Sequence, residues 1–237
     1  MSGDWASSTL LWWQEAGVDM IVGETPRDWL NPASAAAPCA ALPSAPKEVP
    51  AENLPDTLET FQTWLRDSPS LPLAAPSAPR IGPSGDPASG LMILVDMPSA
   101  QDVAAGTLLS GESGALFDRM LKAIGRSRET VYLAPLSPVR TATGRLDAGS
   151  AALLADIARH HAGLAAPKAL LLFGDACAKA LVGAAVAGAR GKWHEIETKA
   201  GKLKTLVTIR PEKLMTQPAL KKLAWEDLQL LMEGLEP

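Results

Sequence analysis

Four apolar runs punctuate the C-terminal two-thirds of the chain: LMILVDM (91–97), TVYLAPL (130–136), KALLLFG (168–174) and KTLVTIR (204–210). The unbroken runs predict strands buried on both faces of a parallel sheet, and the fourth alternates in the manner of a strand. Between them the apolar period changes. GALFDRMLKAIG (114–125) places Leu116, Phe117, Met120, Leu121 and Ile124 on one side of a helix stopped by Gly125. SAALLADIARHHAGL (150–164) predicts a helix closed by Gly163, and DACAKALVG predicts one that follows the third strand directly. PALKKLAWEDLQLLMEGL (218–235) predicts the last helix, with Pro218 in its first turn and a stripe of Leu220, Leu223, Leu228 and Leu231. Strands alternating with helices give an α/β domain with a mostly parallel sheet. Ligands of such sheets bind beyond the carboxyl ends of the strands. That puts Asp96–Ser99, Pro135–Arg140, Gly174–Asp175 and Arg210–Lys213 on one rim.

The first third reads differently. STLLWWQEAG (8–17) predicts a short helix, capped by Ser8 or Thr9 and ended by Gly17. Its Leu10, Leu11, Trp12 and Trp13 are too apolar for a free surface, so the helix either docks on the body or awaits a protein partner. Residues 31–55 are rich in Ala, Pro and Ser and read as a linker. DTLETFQTWLRD (56–67) restores a helical pattern through Leu58, Phe61 and Leu65, with Asp56 or Thr57 as cap. Residues 68–90 are again rich in Pro, Ser, Ala and Gly. The expected organisation is a Trp-rich segment (1–30), a linker (31–55) and one domain (56–237).

Charge sharpens this division. Of 22 Lys+Arg and 26 Asp+Glu, residues 1–79 hold 3 and 10, leaving 19 and 16 for residues 80–237. An acidic arm on a mildly basic body suits either ordinary surface variation or a polyanion or protein partner. The net charge of −4 argues against a strongly basic nucleic-acid binder. Cys39 and Cys177 form no CxxC, so no zinc ribbon, redox pair or disulfide framework is expected, and Cys177 reads as a small buried hydrophobe. The start lacks a basic segment followed by an apolar one, and no run of about 18 apolar residues occurs. The expectation is a soluble cytoplasmic protein without a membrane span.

The strand ends carry VDMPSAQD, APLSPVR, FGDA and TIRPEKL, in that order. With RGKWHEI (190–196), TLVTIRPEKLMTQPALKKLAWEDLQLL (205–231), LLLFGDACAKALVG (170–183) and SGALFDRMLKAIG (113–125), the chain resembles the uracil-DNA glycosylase superfamily. The resemblance is greatest to the branch that usually carries an iron–sulfur cluster, and it runs from about residue 56 to the end. It implies a three-layer αβα sandwich with a mostly parallel central sheet. Such an enzyme flips uracil into a pocket. It then needs a donor at the uracil oxygen, an anion or positioned water near the sugar, and a stacking ring.

The sequence departs from the family at nearly every such position. Val95-Asp96-Met97-Pro98-Ser99 stands where the family has a Gly-Glu-x-Pro-Gly-type loop, so both glycines are lost and Asp96 is a methylene shorter than Glu. The stacking Phe falls at Leu109, the Asn at Pro135 and the His of His-Pro at Arg210, followed by Pro211. Arg stays charged and donates through a long planar fork that cannot occupy a His site unchanged. A cluster would need four thiolates; Val139 stands at one ligand position, and the chain has two cysteines, which excludes it. The degenerate catalytic candidates are therefore Asp96 and Arg210, and no metal is expected.

Ser137, Arg140, Arg145, Arg190, Lys192, Arg210 and Lys213 are candidates to meet DNA phosphates, with a solvated rim as the alternative. His160-His161 reads as a surface pair at a helix end, and Trp225 as core. The resemblance leads to a DNA-maintenance protein whose excision site is degraded. The competing class is a non-catalytic replication subunit similar to the psi subunit of the polymerase clamp loader, which holds its partner by an N-terminal peptide.

Overall fold

The computed structural model describes residues 54–73 and 78–235. It contains six strands: β1 (Ser84–Gly85), β2 (Leu91–Val95), β3 (Tyr132–Pro135), β4 (Ala169–Phe173), β5 (Trp193–Thr198) and β6 (Gly201–Thr208). The described helices are α1 (Leu58–Asp67), α2 (Ala100–Ala105), α3 (Gly111–Ala123), α4 (Ala148–Ala165), α5 (Asp175–Val182), α6 (Val186–Ala189), α7 (Pro211–Thr216) and α8 (Lys221–Leu235). The sheet order is β1-β3-β2-β4-β6-β5. β3, β2, β4 and β6 run parallel, and β1 and β5 pair antiparallel at the edges. No described helix is long and apolar enough to cross a membrane.

The unbroken apolar runs have a simple cause: successive residues of each central strand enter different cores. Met92 and Leu94 join Tyr132, Leu170, Leu172 and Val207 on one face, under α1, α4 and α5. Leu91, Ile93 and Val95 join Leu133, Leu171, Phe173 and Leu206 on the other, under Phe117 of α3 and Leu228 and Leu231 of α8. Helices thus cover both faces, and the molecule is the expected three-layer α/β sandwich.

The elements hidden from the apolar pattern are short. β1 pairs Ser84 with Leu133 inside the Pro/Gly-rich stretch. α2 is held by a capping box between Ser99 and Asp102, and α7 begins at Pro211. α6 ends just before RGKWHEI, which runs on into β5, and a 3-10 turn at Pro218–Leu220 precedes α8. The predictions for Trp12, Trp13 and the 8–17 helix lie outside the described residues.

Two expectations need correction. His160 and His161 are buried, not a surface pair. α4 continues to Ala165, and α1 lies over the pair, with the Phe61 ring 5.4 Å and 4.9 Å from the two imidazoles. His161 Nε2 lies 2.8 Å from the Tyr132 hydroxyl, which accepts from Gln62 Nε2, also at 2.8 Å. Tyr132 O–H and a neutral His161 imidazole thus share one hydrogen bond, whose direction follows the imidazole tautomer. Burial, then His160, holds the His161 pKa down at about 3, and burial pushes Tyr132 up to about 12. Trp225 is 40% exposed rather than core. Ala224 faces inward, and the next residue on a helix is rotated by about 100°.

Candidate functional site

The parallel strands end together, and the four predicted segments meet at that edge. Leu136 N–H donates to Val95 O at 2.7 Å, Ser137 N–H to Asp96 O at 3.1 Å, and Gly174 N–H to Thr208 O at 3.4 Å. The ends of β2, β3, β4 and β6 are thereby stitched into one rim.

Asp96 and Arg210 face each other across it. Arg210 Nη1 donates to Asp96 Oδ2 at 3.3 Å. Asp96 Oδ1 accepts the Cys177 N–H at 2.7 Å, so the carboxylate also caps the start of α5. The rest of the Arg210 fork is engaged by Glu212, with Nε to Oε2 at 3.3 Å and Nη2 to Oε1 at 3.2 Å. Burial opposes charge on Arg210, but Glu212 and then Asp96 outweigh it and hold the guanidinium above its usual range. The Cys177 thiol is pushed well up by burial and then by Asp96, which keeps it protonated.

Gly174 makes this closure possible. Its φ is +110°, and a Cβ there would overlap Asp96 Oδ2 and come within 2.7 Å of Arg210 Cδ. The apolar-run pattern marks the strand–Gly–helix turn but gives no sign that the glycine makes room for an ion pair. Glu212 escapes sequence reasoning for a similar reason, since its role depends on the Arg210 rotamer.

The other candidates divide. Pro98 is buried, and its carbonyl accepts from Arg140 Nη1 at 3.2 Å. Ser99 caps α2 and exchanges two hydrogen bonds with Asp102. Asp102 also accepts from Ser110 N–H and Oγ, each at 2.7 Å. Although burial pushes Asp102 up, these hydrogen bonds outweigh it and hold the carboxyl below its usual range. Leu109 is 2% exposed, inside the core under α3. Its φ of +49° is uncommon for a non-glycine residue. Arg128 holds this turn by donating to Leu108 O at 2.9 Å and Leu109 O at 2.6 Å.

Pro135 and Pro211 are buried. Ser137 is fully buried and donates to Val139 O at 2.7 Å, so its hydroxyl does not reach the surface. Arg190 is also drawn inward: it pairs with buried Asp227, Nη2 to Oδ1 at 3.0 Å and Nε to Oδ2 at 3.2 Å, and donates to Leu223 O. Thr208 Oγ1 donates to the same Asp227 at 2.8 Å. Arg140, Arg145, Lys192 and Lys213 remain exposed. Of the phosphate candidates, Ser137, Arg190 and Arg210 are thus occupied within the protein.

Residues 83–229 match the family described as the uracil DNA glycosylase superfamily. The chain belongs to the uracil-DNA glycosylase superfamily. The match spans all of β1 to β6 and most of α8, so the sandwich and its carboxyl rim are those of a DNA-processing, glycosylase-like family. The arginine of RGKWHEI has a structural role here. Arg190, Thr208 and Asp227 join the β5–β6 edge to α8 through one buried carboxylate.

Proposed function

We propose that the chain is a DNA-binding member of the superfamily, serving DNA repair or maintenance, in which uracil excision has been lost. One observation carries this reading: Asp96 and Arg210, the residues at the two chemically critical strand ends, are consumed by each other and by Cys177 N–H and Glu212. A carboxylate in that state has little capacity left to position water or to face a sugar cation. A guanidinium held by two carboxylates would have to surrender a hydrogen bond before donating to a uracil oxygen. Leu109 offers no π face, and Pro135 offers neither an amide side chain nor an N–H. An iron–sulfur cluster has no part in the proposal, because four thiolates are needed and the chain has two cysteines.

DNA contact is assigned to the exposed cations Arg140, Arg145, Lys192 and Lys213. The test is abasic-site formation on uracil-containing single- and double-stranded DNA. No excision above a blank is expected; excision that disappears in Arg210→Ala and Asp96→Ala contradicts the reading. The alternative is an interaction subunit of the replication machinery, supported by the acidic, Trp-rich first third of the chain. Deleting residues 1–30 decides it: a replisome protein retained after the deletion eliminates that alternative.

A further inference from the structure

α1 is docked on α4 through two consecutive imidazoles. The Phe61 ring lies against both, and Trp64 stacks on Phe61 at 5.7 Å. His160 Nε2 lies 2.8 Å from Pro55 O, just ahead of α1. A carbonyl only accepts, so Nε2 carries the hydrogen of this ring. His160 Nδ1 is buried with no hydrogen-bond partner. His161 Nε2 reaches Tyr132, and through its hydroxyl Gln62 of α1. Both imidazoles are at most 3% exposed, so the docked contact is built on two neutral rings.

No counter-ion stands ready for a charge there. Neither imidazole is in an ion pair among the described residues. Asp56, Glu59, Arg66 and Asp67, on or beside α1, are exposed. On α4, Asp156 is held by Arg159 at 2.9 Å. On β3 the only titratable group is Tyr132, kept neutral by burial. Farther along α4, Asp175 of α5 accepts Val186 N–H, Glu195 of β5 pairs with Lys202, and Lys179 and Glu197 are exposed. A second proton on His160 adds a buried N–H without an acceptor, and on either ring it buries a charge without a partner.

We propose that α1 is an acid-released latch: proton uptake by the His160–His161 pair frees α1 from α4 while the sheet stays folded, and bares the apolar face of α1 at Phe61 and Leu65. Docked, His161 has a pKa of about 3; free, it has the ordinary 6.5. The open form therefore takes up the proton as pH falls through 6.5, and opening grows by up to about tenfold per pH unit from there towards 3. Above that window the latch is closed.

The test is hydrogen exchange of the full chain at about pH 7.5 and about pH 5, with rates corrected for the intrinsic pH dependence of exchange. Amides of residues 58–67 should lose protection by roughly thirtyfold between the two. They should also be less protected than those of β2 and β4 at both pH values, the mark of a local opening. His160→Gln with His161→Gln keeps hydrogen-bonding side chains and removes both titrations, so the fall in α1 protection should shrink to about threefold or less. Gln62→Ala weakens the contact but keeps both imidazoles: α1 protection should be lower at each pH, and its fall in acid should persist. α1 and the strands exchanging at one rate means that only the whole domain opens, which overturns the proposal. It is equally overturned by α1 protection that ignores pH in the wild type or in Gln62→Ala, or by a fall unchanged in the double Gln variant. The wild type and Gln62→Ala carry the decision even where the double variant does not fold.

Discussion

At the scale of single residues, the strand-end site is governed by which partner each charged group has. Asp96 is 6% exposed, and its oxygens hold a backbone N–H and a guanidinium. Replacing it with Ala leaves the buried Cys177 N–H without its acceptor, and an orphaned buried donor costs about 1–3 kcal/mol. Asp96→Ala should therefore lower the urea midpoint as well as alter the site; an unchanged midpoint means the contact is not made. Gly174 is the more exacting case. A side chain there meets both a φ of +110° and the Asp96–Arg210 pair. Gly174→Ala should destabilise by about 1–3 kcal/mol, the range of a strained backbone position, read from chemical denaturation. A glycosylase with a substrate-facing Asp96 would lose chemistry on that change; this chain should lose stability.

At the scale of elements, two buried networks join parts far apart in sequence. Arg190, Thr208 and Asp227 join the β5–β6 edge to α8. Removing one partner of a buried pair costs about 3–5 kcal/mol. Asp227→Ala should accordingly be among the most damaging single changes, measured by thermal and urea unfolding. Arg190→Ala should act through stability too; a variant of full stability whose DNA binding alone is weakened would return Arg190 to the surface. The other network joins α1, β3 and α4 through Gln62, Tyr132 and His161. The folded His161 pKa of about 3 lies below the ordinary 6.5, so the unfolded chain binds the proton more readily in that window. Stability from a neutral His161 is complete above pH 6.5 and declines as pH falls towards 3. His161→Gln should flatten that decline in a series of urea midpoints; an unaltered pH slope contradicts it.

These elements also mark what the sequence makes legible. The central strands are plain because residues that alternate between two cores must all be apolar. β1, with two residues, and α6, with four, are too short to display a period. Burial of the His160–His161 pair depends on α1, whose contact with α4 the local pattern of either helix does not contain.

At the scale of the whole molecule, the fold is far more legible than the site. Motif order leads to the superfamily, and Arg190, Thr208 and Asp227 brace the sandwich away from the strand ends. The state of the strand ends is not in the order of motifs. It depends on Glu212 and Cys177 N–H reaching Arg210 and Asp96, which only three dimensions provide. The exposed rim cations carry the DNA reading, and phosphate contacts of this kind release counterions. Arg140→Ala with Lys213→Ala should reduce the slope of log K against log salt by about 2. Affinity that ignores salt removes phosphate contact from the account.

The central claim is that the Asp96–Arg210 pair closes a site the superfamily uses for excision. Its most direct test is strand scission at abasic sites after incubating excess protein with uracil-containing DNA, single- and double-stranded. The account predicts no product above the blank for the wild type. Product that disappears in both Asp96→Ala and Arg210→Ala would contradict it.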